Sequence, residues 1–342
     1  MGSTVPFEPW LLDASSAPDI QRYLVSQQII EAEGPPIAIA RAGDGNMNLA
    51  LRVTRAGGGT FILKQGRPWV EKYAHIPAPF ERTLVEAAFY AAVQIDPLIA
   101  NRMPALLHVD AANHVLLLED VGGAGDFTPI YADASMPIPA LAELLEWLER
   151  LARVQVPADR RASFANRAMR ALNHEHMFRF PLDDANGLDL DAITPGLRDA
   201  ARELSGDRVY RDAVEALGRR YLADGDTLVH GDYFPGSWLE AHDGVRVIDP
   251  EFCFLGDPEF DCGVLAAHLA IAHADPATLE MVAAAAAARR LDATLVAGYA
   301  GVEIMRRLIG VAQLPLAHGL DRTRALLRRS HRLVVEPHKG FA

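Results

Sequence analysis

Residues 228–263 read LVHGDYFPGSWLEAHDGVRVIDPEFCFLGDPEFDCG. The stretch opens on the apolar pair Leu228-Val229, enters a His-Gly-Asp turn at 230–232, and regains an apolar strand that runs into Asp249-Pro250-Glu251. Phosphoryl transfer needs one carboxylate facing the attacking hydroxyl and separate carboxylates that hold Mg²⁺ against the nucleotide phosphates. A tight-loop aspartate followed by acids at a strand end meets that need. Asp232 is the candidate acid–base residue, and Asp249 and Glu251 are the candidate metal ligands. Ser237, five residues after Asp232, is a third candidate metal ligand. A hydroxyl is a poorer Mg²⁺ ligand, so the metal should rest more on the two acids. His230 follows two apolar residues and is expected to be buried as a brace for the loop.

Upstream, Arg41–Asn48 reads RAGDGNMN. Glycines at 43 and 45 let backbone N–H groups approach phosphates, which makes Gly43, Asp44, Gly45 and Asn46 a candidate phosphate loop. Gly-Asp-Gly is also an ordinary turn. Lys64 lies within the apolar strand TFILKQ, and an inward-facing charge there needs a partner. Glu86, on the following helix, can supply one; the alternative is a lysine on the solvent face. Residues 115–121, VLLLEDV, form a strand entering a loop, where Glu119 and Val121 would offer main-chain atoms to an adenine. Arg306 and Arg307 interrupt the apolar helix VEIMRRLIGVA. Neighbouring helix residues point about 100° apart, so the pair is either a solvated basic turn or a grip on substrate oxygens.

Around these motifs the chain divides in character. Residues 15–34 are expected to be helical. Residues 37–65 alternate Leu49, Leu51, Val53 and Phe61, Leu63 about Gly57-Gly58-Gly59, which predicts a β-hairpin. Residues 80–93 predict a helix and 114–119 a buried strand. The Gly/Asp/Pro-rich segment near 121–137 is the expected linker, followed by an amphipathic helix over 137–155 and mostly helices thereafter. The exceptions are strands at 227–230 and 245–249.

The chain has 342 residues, enough for one large or two moderate domains. Its 33 basic and 45 acidic residues leave a net charge of −12, which argues against a nucleic-acid partner. The two cysteines, Cys253 and Cys262, lack metal-site spacing and read as small core residues in a reducing cytoplasm. MGSTVPFEPW lacks a signal-peptide pattern, and no apolar run reaches the roughly 20 residues of a membrane span.

In this order the motifs resemble the aminoglycoside phosphotransferase and choline kinase superfamily, and within it the methylthioribose kinases. The carrying features are GDGNMN at 43–48, KQGRPWV at 64–70, HGDYFPGS at 230–237, VIDPEFCFLG at 247–256 and EIMRRLIG at 303–310. The chain departs from that pattern in reading HGDYF where members read HGDLH, and AHIPAPF at 74–80 where members carry a tryptophan loop. The resemblance implies an α+β, two-lobed protein-kinase-like fold. Its small N-lobe (1–120) would hold an antiparallel sheet and one main helix. A hinge near 118–123 would lead to a larger, mostly helical C-lobe (124–342). It implies ATP and Mg²⁺ as cofactors and a small-molecule hydroxyl acceptor, and it suggests a homodimer. Lys64 would then meet the ATP phosphates, Asp232 the acceptor hydroxyl, and Arg306 and Arg307 the sugar and the transferring phosphate.

Overall fold

The computed structural model describes residues 10–341 apart from 44, 46, 123, 124, 133, 134, 315, 317 and 318. Two compact units emerge. One runs through Ala91 and takes in Met103–Gly122; the other comprises Ala92–Arg102 and the chain from Gly123 onward. Residues 92–102, expected in the first lobe, therefore belong to the second unit.

The first unit begins with α1 (Ala17–Ser26) and continues through β1 (Ala38–Arg41), β2 (Leu49–Thr54), β3 (Thr60–Gln65), β4 (Trp69–Val70), β5 (Tyr73–Pro77) and α2 (Arg82–Val93). The short helix α3 (Pro97–Ala100) precedes β6 (Leu106–Asp110) and β7 (Val115–Glu119). Five strands form an antiparallel sheet in the order β1-β2-β3-β7-β6. Period-two alternation places Leu49, Leu51, Val53, Phe61, Leu63, Val115 and Leu117 on one face, where Ile20, Tyr23 and Leu24 of α1 cover them. Lys64 therefore falls on the opposite face, between Ala50 and Leu116 in register.

Three local features differ from or add to the sequence reading. The first helix ends near residue 26 rather than 34, because Gln28 takes left-handed backbone (φ 58°) and cannot continue it. Strand β6 was not anticipated; its burial alternates only at the sheet edge. Segment 69–77 folds into the β4–β5 hairpin, with Trp69 opposite Pro77.

The second unit contains α4 (Ile138–Leu151), α5 (Arg167–His174), α6 (Leu190–Ile193), α7 (Leu197–Ser205) and α8 (Arg208–Leu222). Four short strands follow: β8 (Thr227–Val229), β9 (Trp238–Ala241), β10 (Gly244–Val247) and β11 (Phe254–Gly256). They pair antiparallel as β9–β10 and β8–β11, so the motif holds four strands where two were expected. Helices α9 (Glu259–Ile271), α10 (Pro276–Ala288), α11 (Ala293–Ile309) and α12 (Leu320–Val335) complete the unit. Every residue of α9 is buried, and α11 is buried from Val296 to Ile309. A side chain at Gly263 would press on Tyr299 Cβ at 2.8 Å, so glycine permits these two helices to approach closely. Cys253 and Cys262 are buried thiols, as small core residues should be. Among the described residues no helix is long and apolar enough to cross a membrane.

Candidate active site

The first unit carries the residues singled out as candidates for the nucleotide side. Lys64 Nζ lies 2.7 Å from Glu86 Oε2, and both side chains are buried. This arrangement answers the need for a partner inside an apolar strand. Asp44 and Asn46 lie outside the described residues. Gly43 has φ +151°, a backbone setting that side chains rarely adopt, and a Cβ at Gly45 would lie 3.7 Å from the Asn48 carbonyl oxygen. Glu119 N–H is taken by the Ala105 carbonyl at 2.9 Å, and its Oε2 accepts Ala105 N–H at 3.0 Å. Val121 follows in the loop, where Asp120 is tied to Arg52 at 2.6 Å.

Arg82 had no sequence signal beyond its position at the start of α2, yet it organises this half. Its guanidinium is fully buried and donates to Asn48 Oδ1 (2.8 Å) and to the carbonyls of Met47 (2.6 Å), Arg67 (2.6 Å), Pro79 (2.7 Å) and Trp69 (3.3 Å). One planar fork thus ties the end of the glycine-rich segment to the 67–69 turn.

The second unit carries the His-Gly-Asp turn. His230 is fully buried, and its Nε2 lies 2.9 Å from the Ile248 carbonyl. A carbonyl only accepts, so Nε2 carries the proton and Nδ1 accepts Asp232 N–H at 3.3 Å. Gly231 has φ +85°, and a Cβ there would overlap the Phe252 carbonyl, whose carbon would lie 2.6 Å away. Glycine is what lets the His-Gly-Asp turn touch the turn after Asp249. Asp261 of α9 then accepts both His230 N–H (2.6 Å) and Gly231 N–H (2.9 Å). Burial pushes its carboxyl up to about 6 despite those two donors. The FDCG ending of the opening motif carried Asp261 in plain view, but nothing in its spacing showed a partner thirty positions earlier.

Asp232 itself is partly exposed. Arg306 and Arg307 each bring an outer NH2 group to the same oxygen, Oδ1, at 3.0 and 3.3 Å. The two arginines are buried, so the solvated-turn alternative is excluded. Ser237 Oγ donates to the Asp232 carbonyl at 3.0 Å and closes the loop, so a ligand role would use its remaining lone pair.

Asp249 stands at φ 62°, ψ 50°, left-handed backbone that non-glycine residues seldom adopt. The setting breaks the extended backbone just before the short turn Pro250–Phe252, where Glu251 is buried. Asn166, also left-handed (φ 39°), donates its Nδ2 to the carbonyls of Glu251 (3.0 Å) and Cys253 (2.9 Å) and holds that turn in place. It too was not singled out from sequence. Among the described residues no group of three or more His, Cys, Asp or Glu gathers as an all-protein metal cage. Mg²⁺ takes one or two carboxylates together with water and substrate phosphates, and the Asp249/Glu251 donor set fits that mode of binding.

A family model described as the phosphotransferase enzyme family matches residues 38–303. The methylthioribose kinase of Exiguobacterium sibiricum is 29% identical over 68% of this chain and 61% of its own length. That of Geobacillus kaustophilus is 24% identical over 89% and 88%. The alignment thus spans less than two thirds of the first relative and most of the second. Among solved structures, a choline/ethanolamine kinase family protein from Mesorhizobium loti superposes with a TM-score of 0.51 at 20% identity, covering 94% of this chain and all of that one. A spectinomycin phosphotransferase in complex with ADP and spectinomycin superposes at 0.54 with 11% identity, covering 93% and 98%.

Proposed function

Because the chain belongs to the phosphotransferase enzyme family, we propose that it transfers the γ-phosphoryl group of Mg·ATP to a hydroxyl of a small sugar, methylthioribose or a related deoxy sugar. The observation that carries the acceptor class is the buried arginine pair on Asp232. Two guanidinium groups beside the base repel a polycationic acceptor and suit a neutral polyol or an anionic group. The similarity to methylthioribose kinases supports the narrower choice.

In this reading Lys64, paired with Glu86, meets the nucleotide phosphates together with the glycine-rich segment. The Glu119 carbonyl and the Val121 main chain would meet the adenine. Asp249 and Glu251, with Ser237 as a further oxygen, would hold Mg²⁺. Bound there, the ion supplies charge neutralisation for the phosphate oxygens. Asp232 orients the acceptor hydroxyl through the oxygen that the arginines do not contact and accepts its proton as the phosphoryl group is transferred. Arg306 and Arg307 offset the charge that develops on the transferring group.

The test is Mg·ATP turnover of the wild type and Asp232→Ala against methylthioribose, 5-deoxyribose, ribose, a nucleoside and an aminoglycoside. Phosphorylation of methylthioribose with a KM in the micromolar-to-millimolar range, lost by orders of magnitude in the variant with nucleotide binding intact, supports the reading. Turnover of the aminoglycoside alone overturns the acceptor class. Near-normal turnover by Asp232→Ala overturns the assignment of the base.

A further inference from the structure

Behind the arginine pair lies a polar chain that the transfer reaction does not itself require. Tyr131 Oη is 2.6 Å from His268 Nδ1, and His268 Nε2 is 3.0 Å from Glu303 Oε1. Arg307 Nε donates to the same Glu303 oxygen at 2.7 Å. Arg306 Nε sits 2.8 Å from Glu303 Oε2 as an ion pair without hydrogen-bond alignment. His268 and Glu303 are fully buried in α9 and α11, the two most enclosed helices of the unit. Phe234, two residues after Asp232, stacks under the Arg307 guanidinium at 4.5 Å and lies beside the His268 ring.

The direction of each bond follows from what the groups can do. A carboxylate accepts only, so His268 Nε2 carries the proton and its Nδ1 accepts from the tyrosine hydroxyl. Burial lowers the His268 pKa to about 4, which keeps the ring neutral. Burial alone would favour the protonated form of Glu303, but the two guanidinium groups overcome it and hold the carboxyl well below its ordinary range. Arg307 likewise keeps its charge against burial through Glu303 and Asp232.

We propose that Tyr131, His268 and Glu303 form a positioning chain that pins the inner Nε edges of Arg306 and Arg307, so that only their outer NH2 groups remain to exchange between Asp232 and the substrate. The proposal rests on the phosphotransferase reading of the Asp232 site. Its physical content is preorganisation. An arginine fixed by its inner edge and stacked on an aromatic ring loses little freedom when its outer edge changes partner. Spacing within α11 makes this natural, since Glu303 precedes the two arginines by three and four positions and so lies on their face. Asn173 steadies Arg306 from the other side, accepting NH1 at 2.9 Å while donating to Tyr221 Oη at 3.0 Å. The chain beyond Glu303 reaches no further group of the reaction. Its role is therefore to hold the carboxylate, which holds the arginines.

The test compares Tyr131→Phe, His268→Leu, His268→Gln and Glu303→Gln in the full chain. Glutamine at 268 keeps a donor toward Glu303, whereas leucine removes it. Steady-state kinetics use whichever sugar the wild type phosphorylates. Supporting groups of this kind typically change activity about 10–100-fold when removed. His268→Leu and Glu303→Gln should lower kcat or raise acceptor KM by that factor, with Mg·ATP KM within about twofold. His268→Gln should recover most of the loss, and Tyr131→Phe should cost several-fold. A second readout needs neither acceptor nor nucleotide: hydrogen exchange of the Arg307 Nε–H, followed by ¹⁵N NMR, should speed up in Tyr131→Phe and His268→Leu. Because Glu303→Gln removes charge from a buried network and can impair folding, Tyr131→Phe carries the decision if it does. Unchanged Nε–H exchange overturns the chain, even if no sugar in the panel is phosphorylated. Activity losses in which Mg·ATP KM rises equally and His268→Gln gives no rescue also overturn it, in favour of a purely structural role.

Discussion

Asp261→Asn separates the energetic cost of the buried brace from its use. The wild-type carboxyl stands at about 6 against an ordinary 3.8. Each tenfold change in proton affinity is worth about 1.4 kcal/mol, so ionisation of this group in the fold costs about 3 kcal/mol. Below pH 3.8 folded and unfolded chains both hold the proton. Between 3.8 and about 6 the folded chain keeps a proton that the unfolded chain has released, so stability contributed by this group falls as pH rises and levels off above 6. Asparagine cannot ionise and escapes that loss. It offers one oxygen to two N–H donors, however, and its amide nitrogen faces the second. A hydrogen bond to a charged group is worth about 1.5–3 kcal/mol, and an orphaned buried donor costs about as much. At neutral pH the two effects nearly cancel, so the variant should match the wild type within about 2 kcal/mol. Between pH 7 and pH 5 it should lose roughly 1 kcal/mol relative to the wild type, which recovers that much as its carboxyl takes up the proton. Turnover has no such compensation: with one of the two loop N–H groups unheld, kcat should fall about 10–100-fold. Urea unfolding of both proteins at pH 5, 6, 7 and 8 measures the difference. A stability difference that does not change with pH would refute the reasoning, because it would mean that the buried carboxyl does not release its proton in that window.

Gly231→Ala must place a Cβ against the Phe252 carbonyl at a positive φ, so a loss of about 3 kcal/mol or more in thermal or urea unfolding is expected, with turnover lowered in whatever fraction folds. Arg82→Lys replaces a five-donor fork by a three-donor point charge and leaves some of its acceptors unmet; stability should fall by about 2–4 kcal/mol. Mg·ATP KM should rise about tenfold in that variant while acceptor KM stays near the wild-type value.

What was legible in the sequence was whatever sits close together along the chain. The β2–β3 hairpin showed through its alternating Leu49, Leu51 and Val53 and its glycine turn. The Asp232, Asp249 and Glu251 carboxylates showed through their loop and strand-end setting, and Lys64 through the improbability of a charge within TFILKQ. The supports did not show. Asp261 acts on backbone N–H groups thirty and thirty-one positions away, Asn166 on two carbonyls more than eighty positions away, and Tyr131 meets His268 across 137 positions. Local patterning carries no record of such pairs. A lone histidine in GVLAAHLAI reads as core, which it is, and only the fold shows what its two nitrogens face. Glu303 is the exception. Its spacing of three and four positions from Arg306 and Arg307 puts it on their helix face, so the pairing is written in the local sequence.

The second unit concentrates its unfavourable choices where the chemistry is proposed. Asp249 is held in left-handed backbone, a setting that costs a non-glycine residue about 1–3 kcal/mol. Asp261 is buried beyond what its carboxyl prefers, and two arginines and a glutamate are enclosed together. None of these would be chosen for stability: a buried ion network is often no better than an apolar core of the same volume. Each is instead over-determined by neighbours. Asn166 clamps the turn after Asp249, two N–H groups meet Asp261, and Glu303 and Asp232 balance the charges of Arg306 and Arg307. The close helix packing at Gly263 supplies the rigid frame that keeps them so. Strain borne by a rigid surround is strain that need not be created when substrate binds. Helix α9 and the buried stretch Val296–Ile309 of α11 are thus more than a core: they are what allows Asp261, Glu303 and two guanidinium groups to stand ready in one arrangement.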